Sequence, residues 1–125
     1  MVNLISALSA AASGMEAQSN RLRHVSENIA NADTPGYRRK TVSFQEMAEG
    51  RVKTGPVRLD RSDLRRIHDP SHPLADANGD YDGSNVDLIV EMADAREAQR
   101  SYEANLRLFD QARQMASSLF DLLRR

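Results

Sequence analysis

The chain has 125 residues, enough for one domain, and a formal net charge of −1, which gives no overall attraction to nucleic acid. It has no cysteine, which excludes a disulfide framework, a thiolate metal site and a cysteine nucleophile. Hydrophobic residues make up 40% of the chain, but sixteen residues are alanine, and thirteen of those lie outside residues 33–84. No apolar run is long enough to span a membrane, and the first residues lack the basic segment of a cleavable signal peptide, so neither is expected.

The N-terminal segment predicts one long amphipathic helix from about Asn3 to Asn31. Apolar residues recur there at alternating steps of four and three, which is a heptad pattern sustained for about four heptads. Alanine at several of these positions allows close helix approach but buries little area, so the helix needs a partner for stability. The pattern runs through Leu4, Leu8, Ala11, Met15, Gln18, Leu22, Val25, Ile29 and Ala32.

A turn follows this helix. Pro35 disfavours helical geometry at Thr34, and the Pro-Gly pair predicts a type II turn in which Gly36 supplies the positive φ. Tyr37 then begins a partly alternating stretch that predicts a short strand ending near Phe44.

Residues 45–84 lose the helical period, and all four prolines lie between positions 35 and 73. The segment predicts a small β-rich or irregular insert, with a hairpin around Gly55-Pro56 that brings Val52 close to Val57 and Leu59.

Two patterns in the insert partly resemble metal sites. His68 and His72 flank Pro70, which rules out their presentation on one helical face, so loop histidines are favoured over zinc ligands. Residues 78–83 match the first half of a calcium loop, but Ile89 stands where the bidentate glutamate belongs. We therefore expect no metal and no cofactor.

The C-terminal segment predicts a second long helix of about 40 residues, with Asn85 as its N-cap and Asp87 in its first turn. No glycine or proline follows Gly83. Apolar positions again recur at steps of four and three, and sequence alone does not decide whether this stripe packs within one chain or between chains. The stripe runs through Leu88, Met92, Ala95, Gln99, Tyr102, Leu106 and Phe109 and then shifts to Ala112, Ala116, Leu119 and Leu123.

Three segments of the chain carry a family resemblance. The first runs from Ser13 to Tyr37 and ends in Asn-Ile-Ala-Asn-Ala-Asp-Thr-Pro-Gly-Tyr; the second is residues 69–79 followed by 85–87; the third comprises Glu91-Met92, Ala98, residues 100–105 and Met115. Together they resemble the bacterial flagellar basal-body rod proteins. The compact turn at residues 33–37 is equally typical of two sibling proximal-rod proteins, and residues 73–79 favour one of the two.

The resemblance implies a mainly α fold in which the terminal helices pair as an antiparallel coiled coil. Residues 1–32 with 85–125 would form this inner, discontinuous domain, and residues 33–84 a linker and a small outer insert. It also implies a structural subunit rather than an enzyme, without catalytic residues. Such a subunit would be exported by the flagellar type III apparatus without a cleaved signal and assembled helically with its own copies and other rod proteins into the hollow, periplasmic, torque-transmitting rod.

The resemblance and the periodicity together assign roles to particular residues. The linker motif would shape the exit from the first helix, Asn85 and Asp87 would start the second, and the C-terminal family motif would be Arg100, Glu103 and Asn105. The linker motif comprises Asn28, Asn31, Thr34, Pro35, Gly36 and Tyr37. The expected helix-pairing or assembly positions are Leu8, Met15, Gln18, Leu22, Val25, Ile29, Leu88, Met92, Gln99, Tyr102, Leu106, Phe109 and Leu119.

Two other functional classes stay open on the residues alone. The same amphipathic helices suit a helical adaptor or chaperone of a secretion system. The histidines and the aspartate-rich loop are the only basis for a metal-dependent enzyme.

Overall fold

The computed structural model describes residues 3–124 and contains two long helices, α1 (Leu4–Ala30) and α2 (Leu88–Leu123). Helix α1 begins where the Asn3 side chain accepts a hydrogen bond of 2.9 Å from the Ile5 backbone N–H. The two predicted helices are thereby confirmed. No helix within residues 3–124 is apolar enough over a sufficient length to cross a membrane.

The predicted turn after α1 is confirmed. The Tyr37 N–H donates to the Thr34 carbonyl at 3.2 Å, and Gly36 takes a φ of +74°. This is the third position of a type II turn, where glycine has no steric penalty. Asn31 closes the preceding helix, because its Nδ2 donates to the Glu27 carbonyl at 2.8 Å and its Oδ1 accepts from the Thr34 hydroxyl at 3.1 Å.

The insert consists of short antiparallel strand pairs, as predicted in outline. Strand β1 (Lys40–Thr41) pairs with β4 (Arg58–Leu59), β2 (Phe44–Glu46) with β3 (Val52–Thr54), and β5 (Arg66–His68) with β6 (Asp80–Asp82). Each pair has only two strands, so the insert depends on the helices for support.

The predicted hairpin around Gly55-Pro56 is wrong. Val52 pairs with Glu46, and the chain reverses through a 3₁₀ turn (Ala48–Gly50) in which Glu49 and Gly50 take positive φ. Gly55 instead continues the pairing of β3, since its N–H donates to the Ser43 carbonyl at 2.7 Å.

The start of the second helix also differs from the prediction. Asp87, not Asn85, is the N-cap, and its carboxylate accepts the Ile89 N–H at 3.0 Å. The Asn85 side chain is occupied elsewhere, because its Oδ1 accepts the Arg39 N–H at 2.7 Å. The helix therefore begins later and has 36 residues.

Contacts between the helices follow one order along the chain. Asn28 of α1 contacts Glu91 of α2, Arg21 contacts Asp94, and Gly14 lies against Asn105. Residue numbers fall along α1 as they rise along α2, so the end of α1 lies beside the start of α2.

The face that the helices share includes Ala11, Val25 and Ala112 of the expected stripes and elsewhere lies one residue to their side. The buried α1 residues are small or polar apart from Val25, and on α2 only Glu91, Ala98 and Ala112 are buried. On α1 they are Ala11, Gly14, Ala17, Val25 and Asn28. Small residues thus line the contact within the chain, and many large apolar residues are left outside it.

The close approach at Gly14 yields a stability prediction. A Cβ added there would lie 2.7 Å from Asn105 Oδ1 and 2.8 Å from its Cγ. We expect Gly14→Val to lower the free energy of unfolding by about 1–3 kcal/mol through overpacking, measured by thermal denaturation followed by circular dichroism. The control Ser9→Val places the same side chain on an exposed position of α1. Adding Asn105→Ala should recover part of the loss, and its failure to do so would argue against this contact.

Candidate functional site

Asn28, the first residue of the linker motif, is the centre of a buried hydrogen-bond network. Its side chain is fully buried, and its Oδ1 accepts hydrogen bonds of 2.8 Å from both the Tyr37 hydroxyl and the Lys40 N–H. Its Nδ2 donates to the Lys40 carbonyl at 3.0 Å and to Glu91 Oε2 at 3.3 Å. Every hydrogen-bonding position of this amide is therefore used, as a buried polar group requires.

Glu91 is the second buried group of this junction and is also fully inaccessible to solvent. Its Oε1 accepts from Arg39 Nε at 2.7 Å. The same guanidinium reaches Asp94 at 3.3 Å and Asp60 at 3.4 Å. Because a buried carboxylate is costly without a paired cation and hydrogen bonds, Arg39 is held between the insert and α2.

We call these four residues, Asn28, Tyr37, Arg39 and Glu91, the junction cluster. It joins the end of α1, the linker and the start of α2. Asn28 and Tyr37 belong to the linker motif that the sequence predicts, whereas the roles of Arg39 and Glu91 were not predicted. The pairing of Arg39 with a carboxylate 52 positions away has no local signal in the sequence.

Hydrogen bonds and burial shift the pKa values of several groups around the junction cluster. The hydrogen bond of 2.7 Å between Lys40 Nζ and Glu27 lowers the pKa of the Glu27 carboxyl and raises the pKa of the Lys40 ammonium. Burial raises the pKa of the Tyr37 hydroxyl, so it stays a hydrogen-bond donor to Asn28 at neutral pH. The backbone N–H of Ser62 lowers the pKa of the Asp60 carboxyl.

The remaining linker and helix-start residues surround this cluster. The Arg65 guanidinium donates to the Val86 carbonyl at 2.8 Å, and Asn85 Nδ2 donates to the Asp60 carbonyl at 3.0 Å. The buried Ser84 hydroxyl donates to the Ala32 carbonyl. The entry to α2 is thus tied to both α1 and the insert.

Several of the expected assembly positions lie on the outside of α2. Leu88, Met92 and Leu106 are 40–53% exposed, and Gln99 is exposed beside them. Tyr102 and Phe109 are half-buried, and Leu119 is exposed near the end of α2. We call Leu88, Met92, Gln99 and Leu106 the outer stripe.

On α1 the expected positions divide in the same way. Val25 is buried, Leu8, Met15, Gln18 and Leu22 are half-buried, and Ile29 is exposed.

A groove of about 790 Å³ runs between the helices near the start of α1. Ala7, Ala11 and Gly14 form its floor, and Leu108 and Met115 of α2 line one side. The buried Oε1 of Gln18, which also lines the groove, has no hydrogen-bond partner among residues 3–124.

Of the three residues of the family C-terminal motif, only Asn105 is half-buried. Asn105 contacts Gly14 and donates to the Ser101 carbonyl at 2.9 Å, whereas Arg100 and Glu103 are exposed.

The structure places the insert histidines in separate contacts. His68 Nδ1 lies 2.8 Å from Asp80 Oδ1, and the His72 ring stacks on Tyr81. Within residues 3–124, no group of three or more His, Asp or Glu side chains is positioned to hold a metal ion.

Two protein-family models match the N-terminal and C-terminal parts of the chain. The model for flagella basal body rod proteins matches residues 8–38, and the model for the C-terminal part of flagellar basal body rod FlgEFG proteins matches residues 79–122. The first covers most of α1 and the linker motif, and the second covers β6 and nearly all of α2.

Full-length relatives extend the match across the insert. The flagellar basal-body rod protein FlgC of Agrobacterium fabrum is 49% identical over 91% of this chain and 91% of its own length. The chain belongs to the FlgC family of flagellar basal-body rod proteins. The FlgC proteins of Salmonella typhimurium (36% identical, 90% of this chain and 92% of the relative) and Bacillus subtilis (35% identical, 79% and 84%) are also similar.

The FlgC relatives confirm the family resemblance of the three sequence segments. They also confirm that residues 73–79 favoured the right sibling, FlgC rather than FlgB. The family models cover Asn28, Tyr37 and Glu91 but leave Arg39 between them.

The junction cluster yields a second stability prediction. Glu91→Ala should lower the free energy of unfolding by about 3 kcal/mol, because breaking a buried ion pair leaves the partner charge and amide unmatched. Chemical denaturation of the full chain measures the change. The matched control is Glu97→Ala. Glu97 lies on α2 like Glu91, but its carboxylate is exposed and lies 3.4 Å from Arg21 of α1. Its expected cost is about 0.5 kcal/mol, and equal costs for the two variants would contradict the role of the cluster.

Proposed function

We propose that this chain is a structural subunit of the proximal rod of the bacterial flagellar basal body. In this role it assembles helically with its own copies and other axial proteins into the hollow shaft that transmits torque through the periplasm. It acts by packing and has no catalytic role. Membership of the FlgC family and the outer stripe of α2 are the two supports for the proposal.

The outer stripe is the observation that carries the assembly role. Leu88, Met92 and Leu106 recur along one side of α2 and are 40–53% exposed. Burying a side chain of this size is worth about 1.5–3 kcal/mol, so a continuous stripe on a helix favours a partner chain. Rod neighbours would supply that partner.

Within the subunit, we propose that α1 and α2 form an antiparallel coiled coil as the inner layer of the rod. The order of the contacts, from Asn28–Glu91 to Gly14–Asn105, supports this arrangement. Residues 1–32 with 85–125 form this inner domain, and residues 33–84 form the linker and outer insert.

The expected assembly positions that are exposed would contact neighbouring subunits. Tyr102 and Phe109 would instead pair with α1 of the same chain. Export through the flagellar type III apparatus without a cleaved signal accompanies this role, since terminal helices that order on assembly can travel unfolded.

Incorporation into basal bodies tests the assembly role directly. In a motile host lacking its own copy of this protein, we expect Leu106→Glu to reduce the amount of chain in isolated basal bodies about tenfold, because a carboxylate cannot be buried at the outer stripe without a partner. The control Ala104→Glu places the same charge two residues earlier, about 200° around α2. The proposal would be contradicted if the wild-type chain restored swimming without entering basal bodies, as an adaptor or chaperone would.

Amide hydrogen exchange tests whether the subunit completes its folding only among neighbours. In the dilute isolated chain we expect fast exchange near both termini and slower exchange around the junction cluster, where buried hydrogen bonds are concentrated. Exchange on the full-length chain, followed by pepsin digestion and mass spectrometry of the fragments, measures this gradient. Strong protection throughout α1 and α2 would argue against folding on assembly.

A further inference from the structure

The loop between β5 and β6 contains the dipeptide of this chain that is most prone to deamidation. Of the seven asparagines, only Asn78 precedes a glycine, Gly79. Deamidation begins when the backbone nitrogen of the next residue attacks the side-chain carbonyl carbon of asparagine, and glycine permits this approach because it has no Cβ. The Asn78 side chain is exposed, so water reaches it.

The reaction needs water as its only other reactant. The Gly79 nitrogen bonds to Cγ of Asn78, and the side-chain amide nitrogen leaves as ammonia with the proton of the Gly79 N–H. The product is a cyclic succinimide. Water then opens this ring to aspartate or to isoaspartate, in which the backbone passes through the side-chain methylene. No group is oxidised or reduced.

Hydrogen bonds to Asp76 hold the reactive peptide bond in place. The Gly79 N–H donates to the Asp76 carbonyl at 3.0 Å. Asp76 Oδ1 accepts the N–H of Asn78 at 2.9 Å and the N–H of Asp80 at 3.1 Å. The attacking nitrogen must lose its proton and turn towards Cγ of Asn78, so these bonds oppose the first step.

Packing restrains the same peptide bond. Gly79 is buried with a φ of +82°, and an added Cβ would lie 2.8 Å from Cγ of Pro70 and 3.1 Å from Cε1 of His68. The Gly79 carbonyl also accepts the Asp69 N–H at 2.8 Å. Rotation of this peptide bond therefore requires local opening of the loop.

We propose that Asn78 is a deamidation site that the folded turn protects and that unfolding exposes, with Asp76 as the protecting residue. This chemistry does not depend on the rod function. Its consequence rests on the proposed export: chain that waits unfolded accumulates the modification, whereas folded subunits keep Asn78.

The modified chain cannot rebuild the same turn. Both products add a carboxylate to a turn that already contains Asp76 and Asp80. Isoaspartate also lengthens the backbone by one methylene between the two N–H groups, of residues 78 and 79, that Asp76 holds. Deamidation thus weakens the structure that prevents it.

Ageing of the purified chain tests the proposal. The folded chain, the full chain in urea and a synthetic peptide of residues 74–83 are incubated in the same mildly alkaline buffer, and loss of Asn78 is followed by peptide mapping with mass spectrometry. We expect the folded chain to lose Asn78 about tenfold more slowly than the other two samples, because reaction is confined to the small population of opened loops. Asn31, which precedes Ala32, should persist in urea. Equal loss in the folded chain and the peptide would overturn the proposal.

Substitution of Asp76 tests the protecting residue. Asp76→Ala should raise the rate in the folded chain to within a factor of about three of the peptide, because the loop then opens readily. Asp76→Asn keeps an oxygen acceptor for the two N–H groups and should stay slow. The control Asp63→Ala removes an exposed carboxylate outside the turn and should leave the rate unchanged.

A rate for Asp76→Ala as slow as that of the wild type would overturn the role of Asp76. The comparison of the folded wild-type chain with the peptide decides the proposal even if Asp76→Ala does not fold. All of these samples are purified chain or peptide, so failure here leaves the rod function intact.

Discussion

The buried carboxylate of Glu91 is the constraint on which the arrangement of this subunit depends. A carboxylate without solvent contact is stable only beside a cation and hydrogen-bond donors. Arg39 and Asn28 supply them, and they come from the linker and from α1. The linker must therefore lie against both helices at this end of the pair, which places the first strand of the insert against the end of α1. Tyr37 completes this arrangement by satisfying the amide oxygen of Asn28.

The residues inside the helix pair explain why so much apolar surface is left outside. Gly14 and Ala98 permit close approach of the helices but bury little area. Two of the remaining buried positions, Asn28 and Glu91, are used for polar contacts. The large residues of the outer stripe and the apolar residues at positions 119–123 consequently stay 40–74% exposed. This distribution of exposed apolar residues suits a structural subunit of the flagellar rod.

Local patterns predicted the features that depend on near neighbours in sequence. The helical period located α1 to within one residue at each end, and Pro35-Gly36 predicted its exit turn, since both signals arise from backbone geometry over a few residues. The Gly55-Pro56 hairpin was wrong because the actual reversal depends on the pairing of β2 with β3. Asn85 was a plausible cap by residue type, but its side chain is drawn to the Arg39 backbone, 46 positions away. Of the candidate site, the sequence indicated Asn28 and Tyr37 but not their partners.

By itself, the sequence determined two long amphipathic helices, a β-rich insert between them, and the family to which the chain belongs. It did not determine which side of each helix faces the other. Two heptad stripes on α1 share Ala11 and Val25. They differ in whether positions 14 and 28 or positions 15 and 29 complete the stripe, and periodicity alone does not choose between them. Tertiary structure decided this, because only the pairing of Asn28 with Glu91, brought together from opposite ends of the chain, selects the face that is buried.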